Sequence, residues 1–98
     1  MGSTTEGARV RAVISGRVQG VGFRYHIRDC ARKFGVVGWV RNLRSGDVEF
    51  VAEGERESLE RLLKFAREGP PMSWVQGLRV DWSAPHGDLS AFELTSTM

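Results

Sequence analysis

The stretch Ala8–Phe34, ARVRAVISGRVQGVGFRYHIRDCARKF, changes period in its middle, and that change decides the fold. Over Ala8–Ser15 the apolar residues Val10, Ala12 and Ile14 alternate with Arg9, Arg11 and Val13. This is the pattern of a strand with one face on a core, and Gly16 is expected to end it. From Phe23 onward, Phe23, Ile27, Cys30, Ala31 and Phe34 fall at i, i+4, i+7, i+8 and i+11, one face of a three-turn helix. Gly35 stands where a C-terminal cap is wanted.

Working outward, Val36–Leu43 predicts a second strand and Val48–Glu53 a third. Arg44-Ser45-Gly46-Asp47 between them has hairpin chemistry, with Gly46 free to take positive φ. Leu59, Leu62, Leu63 and Ala66 form a second helical face in a segment opening around Glu55, and Gly69-Pro70-Pro71 stops it. Trp74–Trp82 predicts a fourth strand with Val75, Leu78, Val80 and Trp82 toward the core. Pro85–Asp88 is a loop and Ala91–Leu94 a short last strand. The order βαββαβ implies an α+β, ferredoxin-like two-layer sandwich: an antiparallel sheet of order 4-1-3-2, two helices on one face, and a short extra C-terminal strand. The first two strands then run in the same direction. The glycine-rich loop after one and the Asn42 hairpin after the other leave the sheet at the same edge.

Composition narrows the chemistry. Of 98 residues, 41% are hydrophobic and 27% charged, the profile of a globular chain. We expect one domain over residues 8–98, preceded by a flexible N-terminal segment, residues 1–7. A net charge of +2 is too small to argue for a nucleic-acid partner. The lone Cys30 excludes a disulfide framework and a thiolate-rich metal site, and His26 and His86 are too far apart for a short-spaced zinc motif. No apolar run reaches membrane-spanning length, and Met1–Gly7 has no apolar signal core. The expectation is a cytoplasmic monomer needing no metal and no cofactor, with chemistry drawn from Arg, Asn, carboxylates, hydroxyls and backbone. Cys30 is expected in the core, His26 exposed on its helix or at the rim of a site, and Arg17 solvated or steering an anion. Trp39, Trp74 and Trp82 are expected in sheet packing, and Glu53–Arg61 on a solvated surface.

The loop Gly16–Arg24, GRVQGVGFR, sits between a strand and a helix N-terminus. Inward-turned backbone N–H groups there make an anion site, which the helix dipole reinforces. Arg24 falls in the first turn, where a cation opposes that dipole and an acid is favoured; a bound anion would reconcile the two. The loop lacks the Lys-Ser/Thr of a phosphate-binding Walker loop and the third glycine of a dinucleotide fingerprint. Two readings stay open from the residues alone: a phosphate nest, or a turn that uses glycine merely to turn. Asn42 is likewise either a site residue or an ordinary hairpin residue.

Ser15–Arg24 (SGRVQGVGFR) followed by Gly38–Asn42 (GWVRN) and a glycine-containing hairpin resembles the acylphosphatase family. The resemblance extends from Ala8 over nearly the whole chain. It implies hydrolysis of acyl phosphates to carboxylate and inorganic phosphate. By position, Arg24 matches that family's phosphate-binding arginine and Asn42 its water-orienting asparagine. Gln19, Gly20, Val21, Gly22, Phe23 and Arg24 match the loop whose amides hold the phosphate. The implied partners are a small acyl phosphate, with phosphate or sulfate as competing anions, and neither nucleic acid nor membrane. Ser45 stands where many members carry Asp, a difference confined to the turn, and the C-terminal residues Phe92–Met98 match only in an alternating apolar pair. Two other functions fit the element order. One is a non-catalytic module that binds carbamoyl phosphate or another anion. The other is an RRM-like RNA-binding module, but its third strand needs basic and stacking residues, whereas Asp47–Glu53 carries three acids and one aromatic.

Overall fold

The computed structural model describes residues 7–98; the expected flexible segment falls, Gly7 apart, outside the described residues. The elements are β1 (Gly7–Arg17), α1 (Phe23–Lys33), β2 (Val37–Asn42), β3 (Val48–Glu55), α2 (Arg56–Glu68), β4 (Trp74–Ser83) and β5 (Phe92–Leu94). The sheet runs β4-β1-β3-β2-β5. The first four strands pair antiparallel, as the element order predicts, whereas β5 lies parallel to β2. Chain direction explains the exception. β4 runs antiparallel to β1 and so finishes at the end of the sheet where β2 begins, and the chain enters beside β2 from that end.

The inward residues of β1, Val10, Ala12 and Ile14, are fully buried against Phe23, Ile27 and Ala31 of α1 and Leu59, Leu62 and Ala66 of α2. Cys30, Phe34 and Leu63 complete the two helical faces as partly buried neighbours. α1 stops as its sequence predicts. Gly35 adopts φ 73°, its N–H donates to the Arg32 carbonyl, and the Val36 N–H donates to the Ala31 carbonyl.

β1 does not end at Gly16 but continues to Arg17 through an irregularity at Ser15/Gly16. Gly16 takes φ 123°, and a Cβ there would lie 2.1 Å from the Trp74 carbonyl oxygen. Only glycine permits this approach, which carries the strand directly to the loop.

On the sheet face away from the helices, Glu49 and Glu53 are buried rather than solvated. Glu49 accepts from Arg11 Nε at 2.6 Å and Arg41 Nε at 2.8 Å. Glu53 accepts from Arg9 and from the backbone N–H groups of His86 and Gly87. These partners, distant in sequence, draw both acids out of solvent. Trp82 and Trp39 pack partly buried, with Arg56 and Arg41 over their rings. Trp74 does not pack as expected: it is 66% exposed, at the start of β4 beside the end of β1.

Candidate active site

The loop after β1 is held at both ends by the core, through Val18 and Phe23. Between them Gly20 and Gly22 adopt φ 76° and 78°, the left-handed region that glycine enters without penalty. Gly22 is the N-cap of α1, and its carbonyl accepts the first helical bond from the His26 N–H at 3.0 Å. A glycine cap offers no side-chain oxygen to the first-turn amides. Among the described residues, the backbone N–H groups from Gln19 to Tyr25 have no acceptor. A Cβ built on Gly20 or Gly22 would meet nothing within 4 Å. A run of donors without acceptors thus lies at a helix N-terminus bordering open space, the arrangement that takes an anion.

That space is a cavity of about 260 Å³ lined by Val18, Gly20, Gly22, Phe23, Arg24, Tyr25 and Asn42. The predicted residues Gly20, Gly22, Phe23, Arg24 and Asn42 thus share one wall system, drawn from the loop, the first turn of α1 and the last residue of β2. Gln19 and Val21 do not line it. Val21 packs against the core, and the Gln19 side chain reaches the β2–β3 hairpin, where Nε2 donates to the carbonyls of Leu43 and Asp47 at 2.8 Å each.

Arg24 is the one charged side chain in the lining. Arg9, Arg11, Arg28, Arg41 and Arg56 all pair with carboxylates, but Arg24 has no carboxylate partner among the described residues. The exposed Tyr25 ring lies beside it, 5.9 Å from the guanidinium carbon. The positive potential of the helix end and the guanidinium is left uncompensated inside the cavity.

The hairpin closes without the Asn42 side chain. Leu43 N–H donates to the Asp47 carbonyl at 2.8 Å, Gly46 N–H to the Leu43 carbonyl at 3.0 Å, and Asp47 N–H to Ser45 Oγ at 3.4 Å. The Asn42 amide makes no hydrogen bond among the described residues, so the turn does not account for it. Its backbone carbonyl accepts from the Met98 N–H, and Arg44 N–H donates to the Met98 carbonyl. The C-terminal segment thereby braces the strand that carries Asn42, a role no local pattern in Phe92–Met98 announces.

Other titratable groups stand apart. His26 is neither exposed nor at the cavity: its ring lies between Phe23 and Phe65, and Nε2 is buried without a partner. Cys30 packs against the core, and burial, with Asp29 beside it, pushes its thiol pKa up, unlike a nucleophile. Glu53, His86 and Asp88 converge, but at the far end of the sheet, where the Glu53 oxygens already accept from Arg9 and two amides. Glu53 pairs with Val37, five residues from Asn42 along β2, which is about 16 Å at strand spacing.

The family model described as Acylphosphatase matches residues 10–94. An acylphosphatase of Anaeromyxobacter dehalogenans (strain 2CP-C) is 51% identical over 86 residues, covering 88% of this chain and 92% of that relative. The crystal structure of acylphosphatase from Bacillus subtilis matches with a TM-score of 0.87 at 35% identity, over 90% of this chain and 98% of that one. Full-length HypF in its phosphate- and nucleotide-bound form matches at 0.81 and 29% identity, over 92% of this chain but only 12% of that one.

Proposed function

We infer the mechanism from one premise: the chain belongs to the acylphosphatase family and hydrolyses the carboxyl-phosphate bond of acyl phosphates. Arg24 and the loop amides hold the phosphoryl group. The guanidinium offers a planar fork to two oxygens, and the N–H groups from Gln19 to Arg24 offer pre-oriented donors. The phosphoryl transition state spreads charge over its equatorial oxygens, so donors fixed in advance stabilise it without reorganising. Asn42 holds the attacking water in line through its side-chain amide.

The water oxygen bonds to phosphorus as the bond from phosphorus to the acyl oxygen breaks. The bonding pair leaves on the carboxylate, and the water's proton passes to a phosphoryl oxygen. A carboxylate leaving group has a pKa of about 4, so it departs without a general acid. The reaction therefore asks for neither an imidazole nor a carboxylic acid at the site, and the cavity lining contains neither.

The observation that carries this reading is the meeting of an unpaired Arg24, an uncapped helix terminus and an unengaged Asn42 amide around one cavity. The enzyme acts as a monomer in the cytoplasm, with residues 8–98 as its catalytic domain. The test is Asn42→Asp, assayed for phosphate release from a small acyl phosphate with EDTA present. Wild type should turn over normally. The variant keeps its shape but sets a carboxylate against an anionic substrate, and its rate should fall about 10²-fold while it stays folded. Full activity in Asn42→Asp would remove Asn42 from the site, and loss of wild-type turnover in EDTA would overturn the metal-free mechanism.

A further inference from the structure

The two halves of the site come from different parts of the chain. The amide cradle follows β1, and Asn42 ends β2. β3 separates these strands in the sheet, so no ladder hydrogen bond joins them. Among the described residues, one side chain bridges the cradle to the hairpin by hydrogen bonds. Gln19 Nε2 donates to the carbonyl of Leu43, the residue after Asn42, and to that of Asp47, which closes the same turn.

The bridge has no slack. A primary amide carries two N–H donors, and both are used. Each accepting carbonyl also receives a backbone N–H, Gly46 on Leu43 and Leu43 on Asp47, so both acceptors are saturated. The loop makes no other hydrogen bond to the hairpin among the described residues, and the neighbouring glycine gives it torsional freedom.

We propose that the Gln19 side chain is a positioning residue for hydrolysis: it sets the separation between the phosphate cradle and the water held by Asn42. This rests on the roles given above to the cradle and to Asn42. Gln19 then contributes through its backbone N–H to binding and through its side chain to alignment. The cradle's own shape is set by Gly20 and Gly22, so loss of the side chain should spare phosphate affinity and damage the chemical step. A misplacement of about 1 Å costs on the order of 10²-fold in rate.

The test is a double-mutant cycle between Gln19→Met, which keeps length and loses both donors, and Asn42→Ala. Turnover of a small acyl phosphate and competitive inhibition by inorganic phosphate are measured for all four proteins. Gln19→Met alone should lower kcat by at least about tenfold, with the phosphate inhibition constant unchanged within about threefold. In the Asn42→Ala background, with no oriented water left to misplace, the same change should cost less than about threefold. Equal losses in both backgrounds would overturn the proposal, as would a phosphate affinity that falls in step with kcat. Gln19→Asn, which keeps the amide but is one methylene too short, repeats the test if Gln19→Met does not fold. Failure of both to fold would make Gln19 a folding residue and also overturn it. An Asn42→Ala enzyme of full activity would overturn the underlying mechanism instead, a different and separately visible outcome.

Discussion

Arg24 occupies a first helical turn that contains no acid, against the field of its own helix. A phosphoryl group bound there, as proposed, would reconcile cation and dipole, since both would face the same anion. Arg24→Ala should lower substrate affinity and kcat together, with kcat falling about 10²- to 10³-fold, the scale for loss of one preorganised donor. Arg24→Lys should recover little of this, because a point charge cannot reproduce a two-oxygen fork. Steady-state kinetics of both variants check the pair, and a Lys enzyme near wild type would show that charge alone suffices. That Arg24 and Asn42 meet at one cavity is legible in the sequence, because the motif places each at a fixed offset from glycines that shape the backbone. The side-chain bonds of Gln19 are not legible. Their acceptors are backbone carbonyls 24 and 28 positions away, and a carbonyl is common to every residue type.

On the proposed mechanism the loop and α1 form an anion site before any substrate arrives, since the amides from Gln19 to Tyr25 have no acceptor among the described residues. Such a nest should accept free phosphate or sulfate on the same donors. Either ion should raise the apparent KM without changing kcat, and noncompetitive inhibition would show that the anion site lies elsewhere. At this scale the sequence reads well where one period governs. The alternation of β1 and the 3.6-residue spacing of α1 both predict the observed elements. It reads less well where a strand depends on a distant neighbour. β1 passes through Gly16 because β4 lies close enough to pair with it, and the direction of β5 follows from where β4 ends.

Across the whole molecule, the face opposite the helices is tied down by ion pairs rather than by a second layer. Burial by itself raises the Glu53 pKa, but the N–H of His86, the Arg9 side chain and the N–H of Gly87 outweigh it and hold the carboxyl below its ordinary value of 4.5. Because the folded pKa is the lower one, the stability from ionised Glu53 is fully present above the unfolded value and disappears as pH falls through the folded one. Wild type should therefore exceed Glu53→Gln in urea midpoint at neutral pH, and the gap should narrow below about pH 4.5. Parallel curves down to pH 3 would refute this. Local pattern places Glu53 on a solvated run; its burial follows from the loop at His86–Gly87 folding back, a contact 33 residues distant.

β5 contributes three residues, yet it changes what the sheet presents to other molecules. Phe92 is buried, and its carbonyl accepts two hydrogen bonds from the Arg32 side chain at 3.1 and 3.0 Å, fastening this short strand to the end of α1. With β5 in place, β2 is interior. Without it, the outer edge of Gly38–Trp39–Val40 would offer unpaired amides and carbonyls, a template on which another chain can add a strand. β5 thus covers the edge of β2 while Met98, four residues beyond it, braces the same strand at Asn42, so a shortened C-terminal segment should open that edge to self-association and loosen the end of β2 together.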